Sequence, residues 1–203
     1  MKNFETFKHV INPNKNFTEL KQEILNKDAV FFTFDYKYDI SKPDNKISAE
    51  NFWKVAQIKS KNASLFVDEI LSCDFAESAP LGFVREITMS GSDAMQAKST
   101  ELSRIKERVV IDEETKTALF FQLETNGKIL LNATNQVVEE NNNVYFFGHY
   151  VYNVLKNSQE SDDIAFMKNL SQQFLSRMDV MIDKMKLFAT SKELEKTYQQ
   201  LFG

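Results

Sequence analysis

Between Val30 and Tyr38 the chain alternates with a period of two. Val30, Phe32, Phe34, Tyr36 and Tyr38 fall on one face, and Thr33, Asp35 and Lys37 fall on the other. This is the signature of a strand with one face in a core. The loop Ser41-Lys42-Pro43-Asp44-Asn45 ends it. Ser48 then caps a helix that carries Trp53, with Phe52, Val55, Ala56 and Ile58 at helical spacing. A second short helix or turn is expected around Ser64 to Glu69, its Leu65, Phe66 and Ile70 closing one end of the core.

Strand-like segments follow at about 71–77, 81–89, 94–103, 105–111, 117–125, 129–138 and 143–153. Pro80, Ser90-Gly91-Ser92-Asp93, Asn126-Gly127 and Asn141-Asn142-Asn143 separate several of them. Asn-Gly between two alternating runs is the strongest of these hairpin signals. Short strands joined by tight turns predict an antiparallel meander and not βαβ units.

After Ser161 the period changes to three or four: Met167, Leu170, Phe174, Met178, Met181, Met185 and Phe188 form one apolar stripe. From Asp162 to Phe188 this predicts a helix about 40 Å long. Thr190 with Glu193 reads as a capping box, which predicts a break and a last helix to Phe202; one unbroken helix is the alternative. Asn16 with Glu19 reads as another such box, opening a short helix over Leu20, Ile24 and Leu25. The expected organisation is therefore an N-terminal extension, residues 1–27, and one domain, residues 28–203. The expected fold class is α+β: a curved antiparallel sheet wrapped around a long C-terminal helix, an arrangement that commonly encloses an apolar cavity.

Composition narrows the function classes. The 203 residues are 42% hydrophobic and include 18 Phe, enough for a substantial core. A net charge of −4 and a pI near 5.4 argue against general nucleic-acid binding, which needs clustered positive charge. No apolar run approaches the roughly 18 residues that would span a bilayer. Met1 to Phe17 has no signal-peptide core, and the single Cys73 has no intramolecular disulfide partner, so a cytoplasmic protein is expected. The five glycines are scattered singly and form no phosphate loop. Two distant histidines and one cysteine give no metal-ligand spacing, so neither metal nor cofactor is expected.

Several stretches occur together in a familiar order: Ile47-Ser48-Ala49-Glu50-Asn51-Phe52-Trp53, Ser64-Leu65-Phe66-Val67, Val84-Arg85-Glu86-Ile87, Asn143-Val144-Tyr145-Phe146-Phe147, and Tyr198-Gln199-Gln200-Leu201-Phe202-Gly203. In this order they resemble the AtaL-like family of the START-like (SRPBCC) superfamily of helix-grip folds. The resemblance covers about residues 29–203, and the first 27 residues depart from it. It implies an internal cavity and a lipid, steroid, polyketide, quinone or hormone ligand, or in some members cyclase or dehydratase activity. It transfers no catalytic residue.

Arg85 is the sharpest candidate for ligand binding, because alternation sets it with Leu81, Phe83, Ile87 and Met89 on an inward face. A buried guanidinium is costly unless paired. Glu101, on a series with Met95, Ala97 and Ser99, would stand diagonally across the hairpin. The plainer alternatives are a structural ion pair or the opposite strand register. Met178 and Met181 suit a cavity wall, since Met adapts to ligand shape, or a packed core. Tyr36 and Tyr38 sit on the apolar face of the first strand, where a phenol needs a partner. His149 is a candidate base or an ordinary structural histidine without an obvious acidic neighbour, and Cys73 reads as a buried inert thiol.

The expected function is binding of a small lipophilic molecule, with Tyr36, Arg85, Met95, Glu101, Met178 and Met181 as the contacting residues. The alternatives are a polyketide cyclase/dehydratase-like enzyme using His149 and Glu101, or an interaction module with a filled core, such as a homodimer.

Overall fold

In a computed structural model, which describes residues 29–41, 47–90, 102–125, 129–155 and 160–203, the alternating first segment forms β1 (Ala29–Asp39). The helix α1 (Ala49–Lys61) and a 3-10 turn (Ala63–Leu65) follow it. Six further strands come next: β2 (Ile70–Ala79), β3 (Gly82–Met89), β4 (Ser103–Asp112), β5 (Thr117–Thr125), β6 (Ile129–Glu140) and β7 (Asn143–Leu155). The chain closes with α2 (Glu160–Ala189) and α3 (Leu194–Phe202).

All seven strands form one antiparallel sheet in the order β1-β7-β6-β5-β4-β3-β2. The meander predicted from β2 onward is therefore present. β1 joins it from the far end of the sequence by pairing with β7 along its whole length, from Ala29 opposite Leu155 to Asp39 opposite Tyr145. The β6–β7 turn uses Asn141 and Asn142 at φ of 52° and 64°, the left-handed pair that a tight hairpin demands. Within the β1–β7 pairing Tyr36 is the partner of Gly148, and its ring lies over the glycine where a Cβ would stand.

The α1 boundaries follow from its caps. Ser48 accepts a hydrogen bond from the Asn51 backbone N–H at 3.1 Å, as the sequence predicts. Trp53 is fully buried and donates through Nε1 to Glu113 at 2.7 Å, in the β4–β5 turn. Gln57, one turn on, donates to the other oxygen of the same carboxylate. α3 packs on α1 through Lys54–Glu195 at 2.6 Å and through Lys61, which sits over the Phe202 ring and donates to the Leu201 carbonyl.

At 30 residues α2 is about 45 Å long. In its C-terminal half Met178, Met181, Ile182, Met185 and Ala189 are buried in one core with Phe52, Ile58, Val109, Phe146 and Tyr150. This is the sheet-around-helix arrangement of a helix-grip α+β fold. Tyr38 Oη donates to Asp179 at 2.7 Å and ties β1 to α2; burial first, then that carboxylate, pushes the phenol up. Lys184 pairs with Asp68, and Arg177 with Glu69 at 3.0 Å, so α2 is also joined to the turn before β2.

Some local expectations change. The break after Ala189 is present, but Thr190 and Glu193 form no capping box: Thr190 Oγ1 donates back to the Leu187 carbonyl, and the Glu193 side chain makes no cap bond. Leu81 is exposed in the β2–β3 turn, at φ 60°, so it does not share the inward face. β2 is an edge strand with Leu71 and Phe75 exposed, so Cys73 is only half-buried. The predicted 94–103 strand, the Asn126-Gly127 turn and the 1–27 extension lie wholly or mostly outside the described residues. None of the described helices is long and apolar enough to cross a membrane.

Candidate functional site

The end of α1, the concave face of the sheet and α2 do not close completely on one another. They leave a cavity of about 360 Å³. Phe66, Ile87, Met89, Phe120, Met178 and Met181, all buried, supply apolar wall. Ala63 and Ala133 also border it, and their small side chains leave the space open. Its rim carries Asp68, Glu69 and Arg177, charges that help join α2 to the turn before β2.

One end of the cavity is polar. Arg85 of β3 is 5% exposed and faces Glu107 of β4, also 5% exposed. Nε and Nη2 donate to the same Glu107 oxygen at 2.9 and 2.8 Å. Nη1 donates to the Ser60 and Lys59 carbonyls at 2.6 and 3.2 Å, two acceptors that the end of an α-helix leaves unsatisfied. Cys73 Sγ donates to the next carbonyl, that of Lys61, at 3.2 Å. The sheet thus caps α1 from the side.

Lys59 itself lies on the cavity wall. Its Nζ donates to Asn135 Oδ1 at 2.9 Å and stands 5.2 Å from the centre of the Phe120 ring. Burial, then the Arg85 guanidinium, pushes its ammonium down to about 7, and Glu107 acts the other way. Asn135 Nδ2 donates in turn to Tyr150 Oη at 3.4 Å, and that hydroxyl is 3.4 Å from Tyr36 Oη. Burial pushes the Tyr150 phenol up.

Arg85, Met178 and Met181 therefore stand on the cavity wall, while Tyr36 is half-buried behind Tyr150 and is not in the wall. Met95 and Glu101 lie outside the described residues. The acid bonded to Arg85 is Glu107, because β4 begins at Ser103 and runs directly opposite β3. His149 is exposed and bonded through Nδ1 to Asp35 at 2.6 Å, its partner on β1; an acidic neighbour exists, on the face away from the core. Among the described residues no group of three His, Cys, Asp or Glu side chains is placed to hold a metal ion.

Sequence reasoning passed over Lys59, Asn135 and Tyr150. A signal for Lys59 exists: Phe52, Ala56, Lys59 and Ala63 step by four, three and four along one helix face. For Asn135 and Tyr150 the signal was weaker, since only the register of β6 and β7 sets them on one face.

Three solved structures share this architecture. TTHA0849 from Thermus thermophilus superposes with a TM-score of 0.58 at 12% identity, covering 80% of this chain and 100% of that one. The Zhui aromatase/cyclase from Streptomyces sp. R1128 gives 0.59 at 9% identity, covering 79% and 94%. Ara h 8.0201 gives 0.54 at 11% identity, covering 79% and 98%. At such identities the likeness concerns the fold. No curated protein matches the sequence. A family profile described as AtaL, acetylaranotin biosynthesis cluster protein L, matches residues 26–191. With most of its length matched, this chain belongs to the AtaL family, and it has the helix-grip fold of those three structures.

Proposed function

We propose that this protein binds a small lipophilic molecule in the cavity between the sheet and α2. The observation that carries this reading is the cavity itself: about 360 Å³, walled by aromatic and aliphatic side chains, with a few convergent polar groups at one end. Pockets for small ligands have this composition and run from roughly 300 to 1,000 Å³. Met178 and Met181 would contact the apolar part, adapting to its outline. Arg85 would shape the polar end, and Tyr36 would act through Tyr150.

The test is a titration with the neutral lipophilic fluorophore N-phenyl-1-naphthylamine. Saturable one-site binding is expected, and Ala133→Phe, which places a ring in the space, should abolish it while leaving the unfolding transition intact. No saturable binding, or equal binding by a folded Ala133→Phe variant, overturns the assignment.

A cyclase-like activity is the second reading, favoured by the fold shared with an aromatase/cyclase. It needs groups that move protons inside the cavity, and Lys59 and Tyr150 are on its wall where His149 is not. Turnover of a polyketide-like substrate that survives both Lys59→Met and Tyr150→Phe would remove these residues from such a mechanism. The interaction-module alternative required a core filled with side chains, and the cavity departs from that.

A further inference from the structure

We propose that the ligand carries one compact acidic headgroup, a carboxylate or an equivalent oxyanion, and that the Lys59 ammonium receives it. This rests on the cavity-binding reading above and names the ligand class for the same cavity.

Among the described residues three buried side chains that are charged in water at neutral pH meet at the polar end, two basic and one acidic: Lys59, Arg85 and Glu107. The single carboxylate is committed to Arg85, whose Nη1 is committed to two helix carbonyls. That leaves Lys59, 8% exposed, with a neutral amide as its one hydrogen-bond partner among the described residues and an aromatic face beside it. An ammonium has three donors, so this one retains capacity to donate to a ligand at the cavity wall. The acids at the rim do not compensate it: Asp68 is paired with Lys184 and Glu69 with Arg177, both on α2.

Among the described residues the remaining polar neighbours do not supply a counter-charge either. From β2, Cys73 donates to the Lys61 carbonyl; from β6, Asn135 is neutral; from β7, Tyr150 is a phenol held protonated by burial. An ion removed from water without a counter-ion is penalised by several kcal/mol. A ligand anion beside Lys59 completes two ion pairs from three charges, whereas an alcohol leaves the imbalance and a ligand cation worsens it. The apolar wall around Met178, Met181, Phe66 and Ile87 then covers the remainder of the molecule.

Displacement of N-phenyl-1-naphthylamine by decanoate and by 1-decanol, which share a chain and differ in the headgroup, tests this directly. At pH 6.5 decanoate should bind at least about tenfold tighter than decanol, the scale of a hydrogen bond to a charged group. Lys59→Met should bring the two to parity while still binding decanol, which shows that the fold and cavity persist. In the wild type the advantage should shrink between pH 6.5 and pH 9, because Lys59 loses its proton there while decanoate stays ionised. This second measurement decides the matter even if Lys59→Met fails to fold. A wild-type preference for decanol, an acid preference that survives in a folded Lys59→Met variant, or an advantage that does not change with pH overturns the proposal. Saturable dye binding that neither probe displaces overturns this inference alone, whereas absence of dye binding refutes the cavity reading and this inference with it.

Discussion

Arg85 and Glu107 are direct cross-strand partners, their charges 2.8 Å apart and each side chain only 7% exposed. Breaking such a pair from one side leaves an uncompensated buried charge, which costs about 3–5 kcal/mol. Glu107→Leu and Arg85→Met should therefore each lower the denaturant midpoint strongly. The double variant should lose less than the sum, by at least about 1 kcal/mol of coupling. Additive losses in that cycle would show that the two charges do not stabilise each other.

Lys59 should make stability depend on pH. Its folded-state value is lowered to about 7 from the ordinary 10.5, so between those limits the unfolded chain binds the extra proton. Unfolding free energy attributable to Lys59 therefore rises with pH through this window, by at most about 1.4 kcal/mol per unit, and is flat below it. Urea midpoints of wild type and Lys59→Met, measured from pH 6 to pH 9.5, should diverge in favour of the wild type above pH 7. Parallel curves would mean that Lys59 titrates as it does in water.

Gly148 should resist even the smallest addition. An ideal Cβ there falls 2.0 Å from Tyr36 Cζ, and the Tyr36 ring is held among Tyr38, Phe146 and Tyr150 at centroid distances of 5.4 to 5.9 Å. Gly148→Ala should cost about 1–3 kcal/mol by overpacking. Pairing it with Tyr36→Ala should recover part of that loss in thermal unfolding. No recovery would separate the glycine from the ring above it.

Glu113 is on a turn, yet it accepts from both Trp53 and Gln57 of α1. Glu113→Ala leaves those two donors without an acceptor and should cost about 1–3 kcal/mol. An ordinary surface substitution stays within about 0.5 kcal/mol, and a loss of that size in chemical denaturation would remove the turn from the anchoring of α1.

Much of this architecture is legible as periodicity. The β1 strand, the Ser48 cap, the buried Met178, Met181 and Met185 of α2 and the break after Ala189 depend on local chemistry and are present. The inward position of Arg85 was legible for the same reason, since Phe83, Ile87 and Met89 bracket it at a period of two. Its partner was not, because pairing across the hairpin depends on where β4 begins, and Glu107 rather than Glu101 falls opposite. The Asp35–His149 pair was hidden similarly: 114 residues separate them, and only the β1–β7 register joins them. Lys59 was overlooked because a lysine in an amphipathic helix ordinarily reaches water, and only the sheet closing over α1 prevents that.

The two charge sets around the cavity answer differently to ionic strength. At the rim, Arg177–Glu69 and Lys184–Asp68 are partly solvated, so ions from the buffer enter between the partners and weaken them. At the floor, Arg85 and Glu107 are out of reach of those ions. Salt thus loosens the seam between α2 and the turn before β2 while the polar floor keeps its shape. A molecule passing that seam would meet a doorway set by the medium and a berth set by the sequence.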